Sequence, residues 1–326
     1  MKASVFTTTF FFIAAFFGAT VKGQNLVPNP SFEEYTECPD DQYDIELAFP
    51  WTSFRNTPDY FHSCDETGTV STPWSSLNGY QVPYEGEGMA GFITALFSPD
   101  GNAREILGVE LTEPLVVGQE YFVSFQTNRA FGGGAHSNCD CAINNIGLKF
   151  TTRAYDINDV IAINNNADIY TQEVVTDSVG WTEVSGTFTA DSAYSHLALG
   201  VFFTDEFNTL ENYNNEPFYK TYYFFDGICV SADPDYCEDF LSNDQIVPNK
   251  PQVKLYPNPS KNLLRLDAQE KISKIEIYNI LGKAIKSYSC QDDCSTIAIK
   301  ELSKGTYLLS ITFQNNDVWN SKFIKN

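Results

Sequence analysis

The sequence predicts an all-β chain with one large core and a small second domain, and three observations carry that prediction. Short runs rich in β-branched and aromatic residues alternate apolar with smaller or polar positions. Clusters of Gly, Pro, Asn and Asp punctuate them, and no long helical period appears; only Asp156–Ile163 hints at a helix or an irregular insertion. The chain is also long enough, at 326 residues, to bury a large core beside a smaller one.

Residues 1–23 read as an export signal. Lys2 supplies the positive start, Val5–Ala19 is rich in Phe, Ile and Ala, and Val21-Lys22-Gly23 places small residues before Gln24. Thr7–Thr9 break the apolar run, which argues against a transmembrane helix of about 20 residues, and no later stretch is long and apolar enough to span a bilayer. From 24 to 232 the signals are almost all strand. Tyr121–Gln126 and Ile146–Thr151 are short and strand-like. Trp181–Thr189 alternates through Val184, Gly186 and Phe188, and Ser195–Phe203 through Leu197, Leu199, Val201 and Phe203, as one buried face requires. A run of aromatics, Tyr222–Phe225, closes this part. Asn56–Glu87 and Asp205–Lys220 read as long loops. Residues 233–252, polar and carrying Pro234, Pro248 and Pro251, read as a linker. The small domain, 253–326, holds two strand-like runs, Lys274–Asn279 and Gly305–Thr312.

Charge is unevenly shared. Residues 24–247 hold 6 Lys/Arg against 35 Asp/Glu, whereas 248–326 hold 12 against 7. So acidic a domain repels nucleic acid and anionic lipid; it suits neutral ligands or bound cations, and solubility in a salty exterior accounts for most of the charge. Eight cysteines in an exported chain point to disulfides. Nearest-neighbour pairing gives Cys38–Cys64, Cys229–Cys237 and Cys290–Cys294, and leaves the partners of Cys139 and Cys141 open.

Two resemblances sharpen this outline. Lys-Leu-Tyr-Pro-Asn-Pro-Ser at 254–260, Ile-Tyr-Asn-Ile-Leu-Gly-Lys around 280 and Leu-Ser-Lys-Gly-Thr-Tyr-Leu-Leu around 305 follow in order. Together they closely resemble the C-terminal sorting domain of the type IX secretion system. That resemblance implies a small immunoglobulin-like β-sandwich, passage through the periplasm, and recognition by the outer-membrane type IX translocon. The cargo is then released or attached to the outer surface. Tyr256, Pro257, Asn258, Pro259, Gly282, Gly305 and Tyr307 would shape the recognised fold, with Lys322 and Lys325 near its terminal signal. The plainer reading of the Pro and Gly positions is ordinary turn chemistry.

The second resemblance covers the ends of 24–231. Asn-Leu-Val-Pro-Asn-Pro-Ser-Phe-Glu at 25–33, Trp-Thr-Glu-Val-Ser-Gly-Thr-Phe-Thr-Ala from 181 and Phe-Asp-Gly-Ile-Cys-Val-Ser from 225 look like the galactose-binding-like jelly roll shared by many carbohydrate-binding modules. It implies that first and last strands lie side by side, bringing Glu33 and Asp226 together to hold a structural calcium. Loop carbonyls would complete its oxygen shell. The alternative is two surface carboxylates, one capping a turn.

Further candidates come from the residues alone. Tyr60, Trp74, Tyr80 and Tyr84 sit among Ser, Asn and Gly outside any alternating pattern. Flat faces beside amides suit sugar rings, although the same rings would also serve to cover the sandwich edge. Trp51 and Trp181 each adjoin a strand-like run and read as core. His136, Cys139 and Cys141 form H-x2-C-x-C beside Gly132–Gly134, a spacing open to zinc but lacking an evident fourth ligand. No G-x-S-x-G, H-E-x-x-H or Gly-rich phosphate loop is present. The sequence therefore reads as a non-catalytic cell-surface binding protein for a glycan or other surface ligand. A structural adhesin or a secreted polysaccharide hydrolase are the alternatives.

Overall fold

In the computed structural model the described residues are 23–97, 103–130, 141–155, 163–213, 219–237, 253–268, 270–279, 283–290, 294–315 and 318–326. The export signal up to Lys22, the His136/Cys139 cluster, most of Asp156–Ile163, Gly282 and most of the linker lie outside them. Two five-stranded antiparallel sheets form the large sandwich, the jelly roll expected. One runs Thr52–Arg55, Ile106–Glu110, His196–Val201, Ile146–Thr151, Ile169–Tyr170 from edge to edge. The other runs Thr182–Thr189, Glu120–Arg129, Tyr219–Ser231, Gly88–Phe97, Asp59–His62.

Alternation explains the faces. Leu197, Leu199 and Val201 point into the main core with Val123, Phe125, Val184 and Trp51. Tyr219–Ser231 lies mid-sheet and is buried on both sides, which is why it reads as a continuous aromatic run. Tyr223 and Phe225 enter the main core, while Tyr222 and Phe224 join an outer cluster with Phe61, Val70, Leu77 and Met89. The stretch Asn56–Glu87, expected as loop, thus begins with an edge strand and then folds back over the outer face of the second sheet. It also forms a small hairpin that pairs Trp74 with Tyr80.

The N-terminal segment runs beside the last strand. Leu26 N–H donates to Val230 O at 2.8 Å, Ile228 N–H donates to Pro30 O at 3.1 Å, and Asn25 bonds both Ile228 O and Val230 N–H. The three expected disulfides, Cys38–Cys64, Cys229–Cys237 and Cys290–Cys294, are all formed, and Cys141 is buried.

Behind the linker, a three-stranded sheet (Val253–Tyr256, Leu263–Ala268, Thr296–Ala298) faces a four-stranded one (Ala284–Ser289, Ile272–Asn279, Gly305–Phe313, Val318–Lys325). Its core, built from Leu264, Ile275, Ile277, Ile297, Leu309, Ile311 and Phe323, is separate from that of the large sandwich. No described helix is long and apolar enough to cross a membrane.

Candidate ligand-binding face and sorting domain

The four aromatics read as one platform do not stay together. Tyr60 belongs to the edge strand Asp59–His62 and is fully buried, its hydroxyl donating to Phe32 O at 2.7 Å. Its ring cannot meet a ligand, and the platform reading is corrected at this position. Tyr80 is 8% exposed, whereas Trp74 and Tyr84 are half-buried.

Trp181 also departs from expectation. It is half-buried outside the main core, meets Tyr84 edge-on at 6.2 Å and donates its ring N–H to Val82 O at 3.0 Å. Parity carries a signal for this: Val184, Gly186 and Phe188 face inward, so position 181 falls on the opposite face.

These side chains lie on the outer side of the second sheet, where Trp181 joins the stretch Tyr80–Tyr84 to the turn Asp177–Trp181. Asn128, fully buried, donates to Asp177 O at 3.4 Å and to Gly180 O. Asp177 Oδ1 accepts from Val179 and Gly180 N–H and so holds the turn. Among the described residues, Tyr80 Oη and Asn128 Oδ1 are buried without a hydrogen-bond partner. Half-buried rings beside buried amides form a surface able to stack on an apolar ring face and bond its polar edge.

Glu33 and Asp226 do converge, on the backbone of the chain at 84–88. Asp226 is completely buried. Its Oδ2 accepts from Tyr84 N–H (2.7 Å) and Glu85 N–H (3.1 Å), and its Oδ1 from Gly227 N–H (2.7 Å). Glu33 Oε1 accepts from Glu87 and Gly88 N–H, each at 2.8 Å. Glu85, which the sequence did not single out, accepts from the Ser31 hydroxyl at 2.6 Å. Burial, more than the like charge of Glu85, raises the Asp226 pKa well above the ordinary range, against the main-chain donors that lower it. No three His, Cys, Asp or Glu side chains form a metal-holding group among the described residues. A cation here would therefore need main-chain oxygens beside the two carboxylates.

A second pair of buried acids was not legible in the sequence. Tyr43, Asn56, Thr57 and Tyr155 line an open cleft of about 430 Å³. Behind it, Asp59 accepts from Tyr43 N–H (2.8 Å) and the Tyr222 hydroxyl (2.5 Å). Glu105 accepts from Ile93 N–H (2.7 Å) and the Thr57 hydroxyl (3.3 Å). Burial raises Asp59 to about 6 and Glu105 to about 8, and the Asp59 charge adds to the shift of Glu105.

In the small sandwich the opening motif and the terminal strand are clamped together. Asn258 donates to Lys322 O (3.1 Å) and accepts from Ile324 N–H (2.8 Å). Ser260 N–H donates to Ile324 O, and Asn326 N–H donates to Ser260 O. Tyr307 stacks on Phe323 at 5.6 Å, and Gly305 has φ +150°, inside the region glycine favours. Tyr256 is exposed, as is Pro257 beside it, and Lys325 Nζ donates to Asn326 O at 2.7 Å.

Comparison with known proteins bears on the two parts differently. Residues 254–326 match the family model described as "Secretion system C-terminal sorting domain". Among curated proteins nothing matches the chain. Among solved structures, one titled "Structure of TmCBM61 in complex with beta-1,4-galactotriose" shares 12% identity. The match covers 64% of this chain and 97% of that one, with a TM-score of 0.30. So low a score carries nothing about the ligand of this chain. Residues 254–326 are thus the C-terminal sorting domain of the type IX secretion system, carried behind a β-sandwich cargo, and the protein is secreted or attached to the outer cell surface.

Proposed function

We propose that the cargo is a non-catalytic binding module that holds a glycan, or a surface ligand of similar chemistry, on the face formed by Tyr80–Tyr84 and Asp177–Trp181. The observation that supports this most is the half-buried Tyr84–Trp181 pair standing beside the buried amides of Gln81 and Asn128. A glycan array probed with residues 24–247, whose core is separate, tests it. Trp181→Ala should weaken the best array hit by about 2 kcal/mol, roughly thirty-fold, while melting falls little. Trp74→Ala gives the comparison for the outer hairpin. Lowered melting with unchanged binding would make these rings structural covers.

Calcium remains part of this proposal, with Glu33 and Asp226 as the acids and nearby carbonyls completing the shell. Its support is the fully buried Asp226 with like-charged Glu85 as its neighbour, an arrangement that a cation would stabilise. Saturating calcium should raise the melting temperature, because a ligand of the folded state alone adds RT ln(1 + [L]/Kd). Asp226→Asn should remove most of that rise. Melting indifferent to both calcium and chelator would end the idea.

The hydrolase reading has one observation in its favour, the Asp59–Glu105 pair behind the 430 Å³ cleft. Both carboxyls are almost fully buried behind that cleft, at 2% and 7% exposure, which weighs against contact with a substrate. Reducing-sugar release from polysaccharides would overturn the non-catalytic reading.

A further inference from the structure

The two sandwiches have separate cores, yet the side chain of Lys322 crosses between them. Lys322 lies on the last strand, paired with Leu308, and is only 5% exposed. Its Nζ leaves the sorting domain and donates to Gln81 Oε1 at 3.0 Å and to the carbonyl of Ser178. The Tyr80 ring centroid lies 6.0 Å away. Gln81 and Ser178 come from the two stretches that Trp181 joins, so the amine ties both of them to the sorting domain.

The joint is chemically weak. The amine donates to neutral oxygens, and the acid that acts on it, Asp177, has Oδ1 committed to two main-chain N–H groups. Burial lowers the Lys322 pKa to about 7; Asp177 opposes the shift and Arg129 adds to it. A desolvated charge on neutral acceptors adds little beyond the packing of its stem. Such a contact holds the sorting domain over this face without sealing it.

We propose that the sorting domain is a releasable cover for this face, with Lys322 as its anchoring contact. A ligand reaching Tyr80, Gln81 and Asn128 and the docked sorting domain then exclude each other. This rests on the reading of that face as the ligand site, but it is tested with no ligand present. Hydroxyl-radical footprinting of the full chain, read by mass spectrometry, should show slow oxidation of Tyr80. Lys322→Glu sets a carboxylate against two acceptor oxygens, so Tyr80 oxidation should rise several-fold while core Tyr60 stays protected. Lys322→Met keeps the stem without the buried charge, and Tyr80 should stay protected. A second readout needs no variant: with acetic anhydride, Lys322 of the native chain should acetylate far more slowly than exposed Lys254 and Lys261. Equal acetylation of the three lysines, or Tyr80 oxidised alike in the native chain and Lys322→Glu, would overturn the cover. Residues 24–247 that bind no glycan, while the full chain protects Lys322, would sink the glycan reading alone.

Discussion

Deleting residues 254–326 is expected to leave the cargo folded and trapped in the periplasm, with surface display lost. The cargo gives up no core residue in this deletion, because Leu264, Ile277, Leu309 and Phe323 pack among themselves and not against Val123, Phe125 or Phe225. What it loses is the bridge from Lys322 to Gln81 and Ser178. Cell fractionation and surface labelling of full-length and truncated protein check the result. A truncated chain at the surface in normal amount would place the address elsewhere.

The substitution Glu105→Gln should make the protein more stable at pH 8 and flatten its stability between about pH 5 and 8. In the fold the Glu105 pKa stands at about 8, against 4.5 for the free group, so the native state holds a proton that the unfolded chain has released. Stability is therefore fully present below the unfolded pKa and is lost as pH rises towards the folded one. Asp59, raised to about 6, adds a smaller loss in the same direction and completes it sooner. At about 1.4 kcal/mol per pKa unit, the Glu105 contribution is on the order of several kcal/mol. The substituted amide keeps an acceptor for Ile93 N–H and carries no charge to desolvate. Melting temperatures of both proteins across this range decide the matter. If the two curves run parallel, Glu105 is not the group responsible.

How much of this was legible in the sequence depends on whether the deciding contacts are local. Ser195–Phe203 shows both sides. Leu197, Leu199 and Val201 enter the core as their period demands. Phe203 shares their parity but packs outside with Phe54 and Phe202, because the strand ends at Val201 and the alternation ends with it. Tyr60 was misplaced because its strand has only four residues, all buried, and shows no alternation to read. That the first segment runs beside the last strand was legible, but the stretch 84–88, to which Glu33 and Asp226 each bond, and the return of Glu85 depend on how an aperiodic stretch folds back over the sheet. Asp59 and Glu105 carry no sequence mark, since their raised pKa values come from burial that only the tertiary fold creates. Lys322 was legible as part of an address. That its amine lies against the cargo follows from domain placement, which no local pattern encodes.

The disulfide at the exit of the cargo has a mechanical consequence. A pull applied beyond Cys237, through whatever holds the protein to the cell, crosses the sulfur bridge and enters at Cys229. Residues between them carry no load. Force then runs along Tyr219–Ser231, the middle strand of its sheet, hydrogen-bonded to Gly88–Phe97 on one side and Glu120–Arg129 on the other. Extracting that strand lengthwise shears both ladders together instead of unzipping them one bond at a time. A load that arrives along the axis of that strand therefore meets two ladders at once.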